Sequence, residues 1–331
     1  MSASRFYRKL GTLVRNQIRN SSTIDTNEKV LTIAIIGSPN AGKSTLVNSI
    51  VGARVSAVSH VAHTTRTFSN GILNIDNTQL VFTDTPGVVS HHEGRRLKMD
   101  KNHIRAPKRV AGSADMLAVV TDVSFRKTKD YIDETILSII NNHCNIPAIL
   151  IMNKVDMLKR KEDLLFLTTL LMQDRKKDEW GYQPFGGSSR FKECFYISAK
   201  TGDGVDPLVK YFLSQAKHSN WQYSSDIYCD ASVEAQIAEV FREKVLLLFS
   251  QEIPWQVKQE TILFHEDNGF VRIHQKLTWP KKSQRRYVMT KYDELVELSK
   301  EELEYMFQCP IHITLDISQK DKMTKDDLMY F

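Results

Sequence analysis

The stretch "IAIIGSPNAGKSTLVNSIVG", residues 33–52, decides how the first half of the chain folds. Apolar residues Ile33 to Ile36 lead into a glycine turn, and the turn leads into a helical pattern. The turn reads Gly37, Ser38, Pro39, Asn40, Ala41, Gly42, Lys43, Ser44, Thr45, which is G-x-x-x-x-G-K-S-T. Its glycines let the backbone wrap an anion with N–H groups turned inward. The helix that follows offers its positive N-terminal end to the same anion. Lys43 reaches the β and γ phosphates of a nucleoside triphosphate, and Ser44 can place its hydroxyl on Mg2+. The loop implies a triphosphate and leaves the base open.

Three later motifs decide the base. "DTPG" (Asp84, Thr85, Pro86, Gly87) follows the apolar run "LVFT". Asp84 suits a water-bridged contact to Mg2+, and Gly87 suits an N–H aimed at the γ-phosphate. "NKVD" (Asn153, Lys154, Val155, Asp156) follows "AILIM". The Asp156 carboxylate offers two acceptors to the N1–H and 2-amino group of guanine; adenine would leave it unsatisfied, which discriminates strongly. "SAK" (Ser198, Ala199, Lys200) follows "CFYI", and its backbone can meet guanine O6. Each motif is weak alone. In this order, each at a strand's end, they specify a guanine nucleotide.

From residue 30 to 218, short apolar runs alternate with helical patterns. Strands are predicted at Leu31–Ile36, Gly71–Ile75, Gln79–Thr83, Met116–Asp122, Ala148–Met152 and Cys194–Ile197, with helices starting near Lys43, His103, Asp130, Lys161 and Val205. That alternation predicts an open, mostly parallel α/β sheet with its ligand at the carboxyl ends of the strands. "WGYQPFGGSSRF" (180–191) reads as a surface loop, and "SNWQYSSDIY" (219–228) as a linker. Residues 229–318 then read as a small α+β domain. It comprises a helix at Val233–Ser250, strands at Trp255–His265 and Phe270–Thr278, and a basic hairpin or loop at Pro280–Arg286. A short strand at Tyr287–Thr290, a helix at Asp293–Phe307 and a strand at Ile311–Ile317 complete it. The charged tail, 319–331, is expected to fray.

The chain has 331 residues, room for about two domains; 41% are hydrophobic and 25% charged, as in globular proteins, and net charge is +6. The mild positive balance leans toward polyanionic partners. Cys144, Cys194, Cys229 and Cys309 form no C-x-x-C pair and read as free thiols in a reducing compartment. No apolar run approaches the roughly 18 residues of a membrane span. Residues 1–24 carry Arg5, Arg8, Lys9, Arg15 and Arg19 among serines, with Asp25 the first acid. An acid-free, arginine-rich amphipathic start is the composition of a mitochondrial presequence, set here at residues 1–28. The alternative is a basic arm that touches nucleic acid.

With these motifs quoted, the chain resembles the translation-factor class of small GTPases, and within it the Era family. "GSPNAGKST", "HTTR" (63–66), "DTPG", "NKVD", "SAK" and "EGRRLKMDKNHIRAPKRVAGSADM" match the family's pattern. "FREKVLLLFSQEIPW" (241–255) looks like the start of that family's KH domain. The resemblance implies a P-loop GTPase sheet at 29–218, then a C-terminal α+β KH-like domain of type II at 229–318. It favours Thr65, with Thr64 as the alternative, as the switch threonine that moves onto Mg2+, and an order-to-disorder switch on hydrolysis. Val88 stands where signalling GTPases orient water with a glutamine, so intrinsic turnover should be slow. Asn40 is a candidate for holding K+ against the phosphates, or a plain turn residue. His91 and His92 read as solvated loop histidines, and Glu93, Arg95 and Arg96 as switch-surface charges.

The second domain departs from the family's pattern. A KH domain grips nucleotides with a G-x-x-G loop, yet no glycine follows Gly269. The helix after "RRYVMT" is acidic, with Asp293, Glu294, Glu297, Glu301, Glu302 and Glu304. The remaining candidates for RNA are Lys276, Lys281, Lys282, Arg285, Arg286 and Lys291, with Trp279 and Tyr287 for stacking; a solvated basic hairpin is the bland reading. The function implied is a GTP-binding and GTP-hydrolysing switch that binds small-subunit ribosomal RNA and assists small-subunit assembly in the mitochondrial matrix. Its cofactors would be GTP/GDP, Mg2+ and K+. Its partner would be the pre-ribosomal subunit, with peripheral association at the inner membrane and a monomeric state. The alternatives are a nucleotide-gated protein scaffold that has lost RNA and a tRNA-modification-type GTPase.

Overall fold

The structure, a computed structural model, describes residues 27–53, 55, 69–85, 109–125, 129–158, 160–174, 186–249, 253–267 and 269–319. Residues 1–26 of the expected presequence, the H-T-T-R stretch with Thr65, Pro86, Gly87, Val88, the two histidines, the helix start near His103 and residues 320–331 lie outside them. The chain divides into two compact units, the boundary falling between Ala231 and Ser232.

The first unit is a sheet of β1 (Lys29–Gly37), β2 (Ser69–Ile75), β3 (Thr78–Asp84), β4 (Met116–Asp122), β5 (Ala148–Asn153), β6 (Phe191–Ile197) and β7 (Lys217–His218). Strand order is β2-β3-β1-β4-β5-β6, with β7 beside β1. All pairings are parallel except β2 on β3 and β7 on β1. Helices α1 (Lys43–Val51), α2 (Glu134–Asn142), α3 (Asp163–Leu171) and α4 (Val205–Gln215) cover both faces. This is why the central strands read as unbroken apolar runs: both faces are buried. Along β1 the pleat sends Leu31, Ile33 and Ile35 to α1 and α4, where they meet Leu46, Val47, Leu208 and Phe212. Ala34 and Ile36 point the other way, to Ile136, Ile139 and Ile140 of α2 and Leu167 and Leu171 of α3.

Residues 219–231 are built into this unit. The fully buried Gln79 accepts from the Gln222 and Tyr223 amides at 2.8 and 3.0 Å and donates to Tyr223 O at 3.0 Å. Ile72 N donates to Tyr228 O, Asp230 N to Asn70 O, and Asp230 accepts from both the backbone and side-chain nitrogens of Asn70. The segment therefore covers the free edge of β2, and the stretch expected to be a bare linker is an edge strap. Glu28, assigned from sequence to the presequence, accepts from Trp221 N at 2.8 Å and belongs to the same unit.

The second unit runs helix–strand–strand–helix–helix–strand: α5 (Val233–Leu248), β8 (Lys258–Asp267), β9 (Phe270–Trp279), α7 (Lys282–Met289), α8 (Tyr292–Phe307) and β10 (Ile311–Gln319), with a single turn, α6 (Ile253–Gln256), after α5. β9 is central, antiparallel to β8 and parallel to β10. Its inward residues Val271, Ile273, Gln275, Leu277 and Trp279 are buried, as are Ile237, Val240 and Phe241 of α5 and Leu295, Leu303 and Phe307 of α8. The hairpin and short strand expected at 280–290 are instead the helix α7. Gln284 and Val288, one turn apart, are its buried residues, and a strand could not bring that pair to one face while leaving Arg286 out.

Candidate nucleotide-binding site

The phosphate loop, Asp84, Asn153 and the Ser198 turn all leave the carboxyl ends of the parallel strands β1, β3, β5 and β6. Two loop residues need left-handed backbone, Asn40 at φ 61° and Gly42 at φ 91°. Asparagine tolerates that region and glycine has no Cβ to oppose it. Gly42 is doubly constrained: a Cβ there would stand 2.2 Å from Asn153 Nδ2.

Asn153 is the clip of the site. It is buried; its Nδ2 donates to Ala41 O at 2.8 Å, and its Oδ1 accepts from Lys154 N at 2.8 Å and Ala199 N at 3.0 Å. One amide thus ties the phosphate loop, the N-K-V-D turn and the S-A-K turn. Asn153 thereby holds three loops together. The Ala199 amide is committed to Asn153. In the same turn, Ser198 Oγ accepts from Thr201 N at 3.2 Å, and Lys200 is exposed.

Lys43 is buried, and its ammonium donates to Gly37 O at 3.1 Å and Ser38 O at 2.9 Å. Burial pushes its pKa down to about 8, against the opposing pull of the Asp84 carboxylate. A desolvated ammonium closed onto loop carbonyls gains from an anion set beside it, which fits a phosphate. Ser44 Oγ donates to Asp84 Oδ2 at 2.6 Å, so a hydroxyl and a fully buried carboxylate converge. Paired hard oxygens of that kind fit Mg2+. Thr85 Oγ1 donates to Ile35 O at 2.8 Å and fixes the end of β3 to β1.

On the base side, Val155 is buried while Asp156 is exposed in the single 3-10 turn Val155–Met157, with its carboxylate open to a ligand. Lys154, before it, is left-handed at φ 66°, and its Nζ donates to Asp122 Oδ2 at 2.6 Å. Neither Asp122 nor the clipping role of Asn153 was read from sequence.

The comparisons with known proteins agree with this geometry. A family model described as 50S ribosome-binding GTPase matches residues 32–154. The mitochondrial GTPase Era of Salmo salar is 32% identical over 324 residues, covering 82% of this chain and 71% of that protein. GTPase Era of Sinorhizobium medicae is 32% identical over 299 residues, covering 89% of each. The chain belongs to the Era GTPase family. A crystal structure of an Aquifex aeolicus Era variant bound to GDP and AlF4− matches with a TM-score of 0.72 over 88% of this chain and 94% of that one, at 24% identity. Era in complex with MgGDPNP and nucleotides 1506–1542 of 16S ribosomal RNA matches with the same figures. The fold is therefore the Era fold, a P-loop GTPase sheet followed by a KH-type domain, and as an Era-family member the chain is a GTPase.

Within the Era-type second unit, the expected RNA-contacting residues do not form one patch. Lys281, Lys282, Arg285 and Arg286 are exposed on or just before α7, although Arg285 Nε also donates to Ile317 O at 2.9 Å. Lys291 stands at the α7–α8 junction, 3.6 Å from Glu294. Lys276 alternates with buried Gln275 and Leu277, so it lies on the outer sheet face, in register between Glu260 and Asp316. Trp279 is fully buried, its Nε1 donating to Ile253 O at 3.0 Å, and cannot stack on a base. Tyr287 stays 45% exposed, edge-on to Phe249 at 5.8 Å, and keeps a ring face for stacking.

Proposed function

We propose that this chain is a GTP-driven switch that binds small-subunit ribosomal RNA and assists small-subunit assembly in the mitochondrial matrix. The observation that carries the switch is the Asn153 clip, which joins the phosphate loop to both base-reading turns. Support for RNA comes from α7, whose exposed Lys282, Arg285, Arg286 and Tyr287 remain where a G-x-x-G loop is missing. Support for the partner comes from the family: one Era structure holds a 16S ribosomal RNA fragment. Support for the compartment comes from the basic N-terminal composition and from relatives named as mitochondrial Era in Salmo salar and Danio rerio.

Lys43 and the loop amides hold and orient the β and γ phosphates, and Asp156 orients the base. Ser44, Asp84 and Thr65 would hold Mg2+, which when bound would draw charge from the phosphate oxygens. Gly87 supplies an N–H to the γ-phosphate, and Asn40 would hold K+ beside it. Val88 cannot hydrogen-bond water, so hydrolysis is slow until RNA or another partner completes the site. The chain works as a monomer that touches the inner membrane peripherally; among the described residues no helix is long and apolar enough to cross one.

Crosslinking the full chain, locked with a non-hydrolysable GTP analogue, to mitochondrial RNA and sequencing what is recovered tests this reading. Small-subunit RNA should be enriched, and changing Lys281, Lys282, Arg285 and Arg286 to Glu should remove it. No crosslink in the unmodified chain would favour the scaffold reading, and enrichment of tRNA the tRNA-modification one.

A further inference from the structure

Lys154 holds a backbone conformation that side chains other than glycine rarely adopt, φ 66° and ψ 36°. Such residues persist where their surroundings hold them, and they gather at ligand sites. Two groups hold this one: Asn153 Oδ1 takes its amide, and Asp122, the last residue of β4, takes its ammonium. Asp122 lies directly across from Asn153, and Val123 N donates to Asn153 O at 3.1 Å. Asp122 Oδ1 accepts from Ser124 N at 2.8 Å and from Ser124 Oγ at 2.6 Å. Its other oxygen accepts from Lys154 Nζ at 2.6 Å. The carboxylate is thus fixed by its own turn before it meets the ammonium. The two side chains are only 16% and 30% exposed. A short, half-buried, pre-oriented pair of this kind differs from the exposed ion pairs that contribute little.

The consequence lies one residue further on. Lys154 is the cap of the 3-10 turn that carries Asp156, and Met157 N closes that turn on Lys154 O at 3.0 Å. The dihedrals of Lys154 therefore set the direction in which Asp156 leaves the sheet. We propose that Asp122 is a positioning residue for guanine recognition: it pins Lys154 in its left-handed turn and so places the Asp156 carboxylate at the base. This rests on Asp156 being the group that reads the base.

The test is nucleotide binding to the full chain, comparing GDP with IDP, which lacks the 2-amino group. Asp122→Asn keeps the side-chain volume and the Ser124 bonds but removes the charge facing Lys154. It should weaken GDP by about tenfold, as expected for coupled members of one network, and shrink the GDP-to-IDP preference. Added to Lys154→Ala, it should cost nothing more, because both changes break the same link. Ser124→Ala, which removes the hydroxyl bond to the carboxylate and keeps the amide one, should move GDP affinity the same way by less and serves if Asp122→Asn folds poorly. Equal losses for GDP and IDP, or losses that multiply in the double variant, would overturn the proposal. Asp156→Ala in the same assay separates the two levels. If it keeps the full GDP-to-IDP preference, the base assignment itself has failed; if it loses that preference while Asp122→Asn and Ser124→Ala bind like the unmodified chain, only the positioning role has.

Discussion

Asn153 Nδ2 reaches the carbonyl oxygen of Ala41 at 2.8 Å, and a Cβ on the next residue, Gly42, would stand 2.2 Å from that same nitrogen. The glycine and the asparagine are therefore one device. The loop can lie close enough to be clipped only because residue 42 has no side chain, and its φ of 91° excludes most alternatives.

Gly42→Ala should accordingly damage the site twice, by strain in the left-handed region and by displacing the clip. Asn153→Ala leaves the Ala41 carbonyl and the Lys154 and Ala199 amides without their partner, at about 1–3 kcal/mol for each group that stays buried. Both variants should melt below the unmodified chain and bind GDP more weakly, read by thermal denaturation with and without nucleotide. An Asn153→Ala protein with unchanged GDP affinity would contradict the clip.

Asp156→Asn should move preference from guanine toward xanthine nucleotides, because an amide presents one donor and one acceptor where the carboxylate presents two acceptors. Competition binding with GDP and XDP reads it directly. Retained preference for GDP would count against the base contact.

The strand-end motifs were legible because each is a short local string at the end of an apolar run. The clip was not, since it joins residues 112 apart in sequence. Tyr287 to Thr290 read as a strand because tyrosine and valine favour one; burial of Gln284 and Val288 one turn apart overrides that preference. Trp279 looked available for stacking, yet counting every second residue from Val271 along β9 reaches it and marks it as inward. Residues 219–228 have a linker's composition, and nothing local shows that side chains of β2 and β3 satisfy their backbone.

The cysteines offer a check on burial. Cys144 is exposed, while desolvation pushes Cys194 up to about 11 and Cys229 up to about 12. The thiolate is the reactive form. At pH 8 iodoacetamide should label Cys144 first, and Cys229 and the buried Cys309 only on unfolding, with the order read by mass spectrometry. Early labelling of Cys229 would mean that the strap it sits in opens readily.

The strap itself can be tested at Gln79. That side chain serves two strap amides and one strap carbonyl from a fully buried position. Gln79→Leu keeps the volume and orphans all three, so roughly 2–4 kcal/mol of stability should go. Chemical denaturation would show it, with residues 219–231 gaining hydrogen exchange first.

Lys43 yields a prediction with a sign. Its folded pKa, about 8, lies below the ordinary lysine value of 10.5 because burial disfavours the ammonium. A depressed pKa means that stability is fully present above the unfolded value and is lost as pH falls toward the folded one. The nucleotide-free chain should therefore lose stability between about pH 10.5 and 8, relative to Lys43→Met, which carries no charge there. At pH 7 Lys43→Met should melt higher than the unmodified chain without nucleotide. GDP at a hundred times its Kd adds about 2.7 kcal/mol to any chain that binds it, and phosphate pairing offsets the cost of burying the ammonium. The order should thus reverse with GDP present, because Lys43→Met binds it poorly. Melting curves at pH 7 and 10, with and without GDP, check this. A Lys43→Met protein that melts lower than the unmodified chain without nucleotide would show that the buried ammonium is not a burden the phosphates relieve.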